Sequence, residues 1–314
     1  MRKYFFKRLV NMIITFCGVV CFMLFVYLSL PGNYVSTLFT LPVEEKIRIE
    51  HLLHLDQPKI VQFKYWVTGI FTGNLGYSFS TGRPVWETAM PCFLNTFIMF
   101  TSSLFLALLL SIPISIISAS KPHSNTDNFW TFIAFIGISI PPFVLGAILT
   151  KVFTFNQYVF NLKVFNIIPF KAYADLMNQH ILPFTIITFS TVAIFIRYLR
   201  SSMLEVIHMD YVNTARAKGL KEKIVLYRHC LKNALLPVLT VLSGSLPGMI
   251  SSLLLVEIVF NYQGLGTLMI NSVHDRDYPL VMAFTIILAV IILVSNFIMD
   301  IVYSYLDPRI RITK

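Results

Sequence analysis

Six long apolar runs, each closed off by polar or charged residues, limit what this chain can fold into more than any other feature. They cover residues 9–30, 96–118, 130–155, 181–198, 234 to about 259, and 280–303. A helix rises about 1.5 Å per residue, so about 17–25 residues cross a hydrocarbon core of roughly 30 Å. In that solvent every backbone N–H and C=O must be satisfied within the segment, so the runs are read as helices. Composition agrees: 56% of the 314 residues are hydrophobic and only 13% are charged, against roughly 25% charged in a soluble domain. The chain is expected to be an all-α integral membrane protein with six transmembrane helices in the lipid bilayer.

Charge placement orients it. Arg2, Lys3, Lys7 and Arg8 precede the first run, which is too long for a signal-peptide core and lacks a small-residue cleavage site. With both termini cytoplasmic, sixteen of the 25 Lys and Arg residues fall on the inner side, largely in short loops, as the positive-inside rule requires. The expected location is the plasma membrane, multi-pass, with residues 31–91 and 156–179 outside. In the first external segment, LPVEEKIRIEHLLHLDQP reads as a helix of about three turns between Pro42 and Pro58. Residues 60–71, with Tyr65 and Trp66, read as an interfacial helix, and Gly69, Gly73, Gly76 and Gly82 mark a turn-rich stretch.

Several chemistries are not indicated. The net charge of +10 would suit nucleic acid, but the basic residues sit at the ends of apolar runs and no base-reading module accompanies them, so no nucleic-acid partner is expected. Cys17, Cys21, Cys92 and Cys230 include no Cys-x-x-Cys pair. His51 and His54 stand on adjacent helix turns without a third ligand and are read as surface histidines, so no metal site is expected. There is no G-x-x-x-x-G-K-S/T loop and no G-x-S-x-G elbow, so neither a catalytic residue nor a bound cofactor is assigned to this chain.

The polar stretch DYVNTARAKGLKEKIVLYRHCLKNALLP, residues 210–237, lies between the fourth and fifth runs. Asp210 is read as the cap of a helix over residues 211–218, its charge suiting the positive end. Gly219 supplies the permissive backbone that ends that helix, and residues 221–233 are expected to resume helix before Pro237. From Arg216 to Lys232 the bases Arg216, Lys218, Lys221, Lys223, Arg228 and Lys232 stand against one acid, Glu222, and make it a basic inner loop. Within the membrane, Pro141-Pro142 interrupts the third run, as a gate or a packing kink. Ser251 and Ser252 are read chiefly as helix-packing contacts. Glu257 either lines the outer mouth of a pathway or pairs with Arg276 or a neighbouring subunit.

The stretch IRYLRSSMLEVIHMDYVNTARAKGLKEKIVLYRHCLKNALLPVL, residues 196–239, resembles the cytoplasmic signature of permeases of the dipeptide, oligopeptide and nickel ABC importers. The likeness continues in VEIVFNYQGLGTL (256–268), RDYP (276–279) and DIVYSYLDPRIR (300–311), and upstream in LDQP (55–58) and NLGYSFSTGRPV (74–85). Departures are Asn213-Thr214-Ala215 for a generic Glu-Ala-Ala start, Leu236-Pro237 displaced from the glycine, and Asn74 where Asp is frequent. The resemblance implies a type I permease core, with residues 1–92 an N-terminal helix plus external segment, 93–305 the permease domain carrying a coupling loop at 200–233, and 306–314 a cytoplasmic tail. It implies a coupling helix in which Asp210, Tyr211, Thr214, Ala215, Arg216, Ala217, Lys218, Gly219 and Leu220 meet a cytoplasmic ATPase. Ala215 and Ala217 would be the small residues that permit close approach. The implied partners are a second homologous permease, two ABC ATPase subunits that use ATP and Mg, and an extracellular binding protein. The implied cargo is an oligopeptide or dipeptide, with nickel or a metal chelate as the alternative within the family. An autonomous membrane channel or enzyme is the alternative from another class, and it requires an intramembrane metal or carboxylate cluster.

Overall fold

The computed structural model describes residues 2–30, 32–38, 41–159 and 177–306. Among these residues the regular structure is helical, with a single isolated antiparallel bridge between Tyr77 and Pro84. In chain order the helices are α1 Arg2–Ser29, α2 Val43–Leu52, α3 Lys59–Phe71, α4 Val85–Ser120, α5 Asn125–Ser139 and α6 Pro142–Val159. There follow α7 Leu182–Ile207, α8 Asp210–Ala217, α9 Leu231–Phe260, α10 Leu265–His274 and α11 Tyr278–Leu306. π-helical turns at Met177–Ile181 and Val225–Cys230 lead into α7 and α9.

Five stretches are long and apolar enough to cross a bilayer: Phe6–Ser29, Val85–Ser120, Gln179–Ile207, Glu222–Phe260 and Tyr278–Val302. The sixth expected span is broken. Asn125–Ser139 and Pro142–Lys151 meet at 93°, a broken span or a re-entrant turn. The cause is local: a residue before proline is pushed out of the α region, and Ile140 is extended at φ −100°, ψ 118°. Pro142 then opens α6, where its missing N–H costs nothing. Residues 160–176 of the external segment expected at 156–179, and the tail expected at 306–314 beyond Leu306, fall outside the described residues; 156–159 continue α6 and 177–179 open the π-helical turn before α7. The helix read as starting at residue 96 starts at Val85 and runs through Pro91, so the expected boundary at 92 and 93 falls inside α4.

The chain forms two compact units, one from described residues within 1–95 and 263–297, the other from those within 96–262 and 298–313. In the first, Tyr27 of α1, Phe63 and Trp66 of α3, and Tyr278, Met282 and Ile286 of α11 share one buried cluster. The turn-rich stretch before α4 is tied down. Asp277 is wholly buried; one of its oxygens accepts from the Ser78 hydroxyl at 2.6 Å and from the Ser80 hydroxyl and N–H, both at 3.0 Å. Two sequence stretches that carried the family likeness, 74–85 and 276–279, therefore meet at one carboxylate.

In the second unit, α7 is the most enclosed span. The helices of this unit approach closely where a glycine replaces a side chain, as membrane helices lacking a hydrophobic drive require. A Cβ built on Gly137 of α5 would lie 2.6 Å from Cβ of Ala193. One built on Gly146 of α6 would lie 2.8 Å from the Phe260 ring of α9. The Ser202 hydroxyl of α7 donates to the Ala234 carbonyl of α9 at 2.8 Å. At the start of α5, Ser124 caps the helix by accepting from Asp127 N–H, and Asp127 holds Arg200 of α7 through two hydrogen bonds of 2.5 and 2.7 Å.

Candidate functional site: the loop between two spans

The loop leaves α7 at Ile207, makes the two turns of α8, and enters α9 through Glu222–Ile224 and the π-helical turn. Asp210 does not cap α8. The capping position is Met209, extended at φ −73°, ψ 150°, with no side-chain cap, and Asp210 is the first helical residue. Its charge still stands in the first turn, where the helix dipole favours an anion. The other end follows expectation. Gly219 has φ +77°; its N–H donates to the Arg216 carbonyl at 2.9 Å, and the Leu220 N–H donates to that of Ala215 at 3.4 Å. This is the paired closure of a Schellman turn, which needs a left-handed residue.

α8 has two faces. Val212 and Ala215, three residues apart, are buried in the same cluster as Val206, Ile207, Val225 and Leu226. Asp210, Asn213, Thr214, Ala217 and Lys218 lie along the exposed face. The reading of Ala215 as a point of close partner approach is therefore corrected: it is 6% exposed and packs into its own chain. Its spacing from Val212 was the signal for an inward stripe. Ala217 is the small residue left open. Around α8 several large apolar side chains also stand out into solvent, among them Tyr211, Leu220, Ile224 and Tyr227.

The loop is braced to itself and to both spans. Arg216 forks onto Glu222, Nε to Oε2 at 3.1 Å and Nη2 to Oε1 at 2.8 Å, and its Nη1 donates to the Ile207 carbonyl at 3.3 Å. Glu222 holds the guanidinium charged above its already high range. The Asn233 amide of α9 donates to the Tyr211 hydroxyl at 2.7 Å.

The intramembrane candidates separate. Pro142 and Ser252 line one cavity of about 330 Å³, together with Gly137, Ser190, Thr191 and Ser245. Pro141 does not line it, and the Ser251 hydroxyl turns back onto the Pro247 carbonyl at 2.9 Å. Glu257 is wholly buried in the second unit, its Oε1 accepting from the Thr96 hydroxyl at 2.6 Å, so it presents no carboxylate to an open mouth. Arg276, in the first unit, donates to the Ser36 hydroxyl at 2.7 Å. Sequence reasoning missed Ser190 and Thr191, whose signal is a polar step in an otherwise apolar stripe of α7. His51 pairs with Asp56 at 3.1 Å, and no group of three metal ligands occurs among the described residues.

Residues 111–312 match the model of the binding-protein-dependent transport system inner membrane component family. The chain belongs to that family. It is 36% identical over 317 residues to the oligopeptide transport system permease protein AppB of Bacillus subtilis, covering 99% of this chain and 100% of the relative. It is 32% identical over 313 residues to the dipeptide transport system permease protein DppB of Lactococcus lactis, covering 99% and 100%. A glutathione transport system permease protein of Salmonella typhimurium is also 32% identical, over 314 residues and 99% of both chains. The matched stretch takes in α5 to α11, and hence the loop, the Pro141-Pro142 break and every residue lining the 330 Å³ cavity except Phe100 and Leu104. This chain is a multi-pass membrane component of a binding-protein-dependent importer, with the helical fold expected of it.

Proposed function

We propose that the chain is the permease subunit of an ABC importer for oligopeptides or dipeptides, and that α8 is the helix on which an ATPase subunit docks. The observation that carries this is the split character of α8. One face is locked into its own chain, the other is open and polar, and the helix is closed sharply at Gly219 within the family-matched stretch. Such a helix transmits a push from a partner to α7 and α9, because its inner face and the Arg216 and Asn233 bonds leave it little independent movement. The peptide names of the relatives support the cargo class. They do not favour nickel or a metal chelate.

On this reading a second, homologous permease supplies the other half of the pathway. Two cytoplasmic ATPase subunits bind ATP and Mg, and an extracellular protein delivers the peptide. Both termini lie in the cytoplasm. The permease domain takes in the family-matched residues 111–312. The cavity beside Pro142 offers a mostly apolar wall with hydroxyls at Ser190, Thr191, Ser245 and Ser252, suited to varied side chains on a common polar backbone.

The test is Ala217→Trp, which adds bulk on the open face and leaves Val212 and Ala215 untouched. Uptake of a labelled dipeptide or oligopeptide should fall about tenfold or more, the equivalent of roughly 1.4 kcal/mol of docking energy. The amount of this chain in the membrane should stay unchanged while less ATPase co-purifies. Wild-type uptake and co-purification at matched expression would remove α8 as the docking helix. Failure of wild-type cells to take up any labelled peptide through this system would remove the cargo class.

A further inference from the structure

The first unit contains a cavity of about 700 Å³ that the transport reading does not use. Its size lies within the roughly 300–1,000 Å³ typical of small-molecule sites. Two of its walls are the ends of membrane spans: Tyr27 in the last turns of α1, and Tyr278 and Met282 at the start of α11. Besides Pro279 of α11, the remaining walls come from α3, among them Trp66, from the turn after α2, among them Leu53, and from Phe79 in the stretch before α4. The cavity therefore straddles the depth at which hydrocarbon gives way to water.

Its chemistry is selective. No carboxylate, lysine or arginine lines it; His54 and the Gln57 side chain stand among its polar walls, at the side away from the membrane spans. Three of the polar side chains on its walls are engaged: the Tyr27 hydroxyl on Gln62, the Gln62 amide on the Gln57 and Leu55 carbonyls, and the Tyr278 hydroxyl on the Gly32 carbonyl. Trp66 differs. It is 8% exposed, and its indole N–H is buried without a hydrogen-bond partner, a costly condition for a donor-only group. The same helix turns Tyr65 and Phe71 outward, 72% and 86% exposed, an apolar surface that suits a membrane interface.

We propose that this cavity holds one acyl chain of a bilayer phospholipid, with the ester carbonyl of that chain accepting from the Trp66 indole N–H. A neutral acceptor joined to a long apolar tail suits the Trp66 donor and the apolar walls at Leu53, Phe79 and Met282. The ester region of a glycerophospholipid lies at the interface where Trp and Tyr residues concentrate. Tyr27, Tyr278 and Met282 bring the ends of α1 and α11 into its wall, so the ligand would enter sideways from the bilayer. The bound lipid would fasten α2 and α3 to the spans.

The experiment uses the full chain purified with its transport partners, stripped of lipid in detergent and titrated with dioleoyl phosphatidylglycerol, bound lipid being counted by native mass spectrometry. One lipid per chain should bind saturably in the wild type. Trp66→Phe keeps the ring and removes the N–H, and should weaken that binding about tenfold, the equivalent of one net hydrogen bond. Leu53→Trp fills the cavity from its extramembrane side and should abolish it. Gel filtration and peptide-stimulated ATP hydrolysis show whether each variant is assembled. Equal retention by wild type and both assembled variants would overturn the proposal, as would a wild type that binds no lipid saturably. If neither variant assembles, bromine placed on the lipid chain decides. Saturable quenching of Trp66 fluorescence, in a Trp86→Phe, Trp130→Phe background, supports the site, and its absence overturns it.

Discussion

Arginine forks onto a carboxylate twice in the second unit, with nearly the same geometry and opposite surroundings. Arg200 holds Asp127 at 2.5 and 2.7 Å, with side chains 22% and 1% exposed. Arg216 holds Glu222 at 3.1 and 2.8 Å, with side chains 34% and 54% exposed. The first pair joins the start of α5 to α7, and Asp127 also accepts from the His123 N–H and the Thr131 hydroxyl. The second spans six residues of one loop. Geometry alone would rank the two as equals. Burial separates them: away from water each charge depends on the other, whereas in water each can exchange its partner for solvent or for a docking protein. One fork fixes the fold, and the other leaves a surface available.

The largest effect expected from breaking this contrast is at Asp127. Asp127→Ala leaves Arg200 mostly enclosed without its counter-charge, at a cost of about 3–5 kcal/mol. It should appear as a large loss of thermal stability in detergent, or as failure to accumulate in the membrane. Replacing both partners, Asp127→Leu with Arg200→Met, should recover much of that loss, because the unpaired charge leaves with its partner. A double variant no better than Asp127→Ala would mean that helix capping at Ser124, and not charge pairing, is what Asp127 supplies.

Asp277 sharpens the comparison from the first unit. It is as buried as Asp127, but its donors among the described residues are neutral: two hydroxyls and the backbone N–H groups of Ser80 and Leu280. Ser78→Ala removes one of these and leaves the carboxylate partly satisfied, for an expected cost of about 1–3 kcal/mol. Limited proteolysis of the stretch before α4 should quicken while the second unit keeps its resistance. A loss as deep as that of Asp127→Ala would erase the distinction between charged and neutral partners.

These contacts mark where the sequence stopped being legible. Each span and the polar loop could be read locally, because apolar length, flanking charge and Gly219 act over a few residues. Asp127 and Arg200 are 73 positions apart, and Ser78 and Asp277 are 199 apart. Nothing in a periodicity brings such pairs together, since packing decides which polar residues meet. The inward face of α8 was legible in the spacing of Val212 and Ala215. The resemblance to known permeases directed Ala215 toward a partner instead. The broken third span was half legible: Pro141-Pro142 forecast an interruption but not its angle, which is 93°. The start of α4 misled because Pro91 reads as a boundary, yet a helix tolerates it near an end.

The smallest effect belongs to Glu222→Gln, and salt makes it diagnostic. An exposed fork contributes about 0.2–1 kcal/mol, since water screens the charges and two long side chains lose freedom in forming it. Thermal stability of the purified complex should therefore change little in 0.15 M salt. The remaining difference from wild type should vanish as ionic strength rises toward about 1 M, where the Debye length is near 3 Å. The Asp127→Ala deficit should persist across the same range, because solvent ions do not reach a buried pair. Peptide uptake by Glu222→Gln should stay within about twofold of wild type, since the Arg216 bond to the Ile207 carbonyl still holds the guanidinium against α7 and rim charges contribute little to docking. A salt-resistant loss at Glu222, as large as that at Asp127, would show that this fork too is closed off from water, and would place it inside the docked interface instead of at its edge.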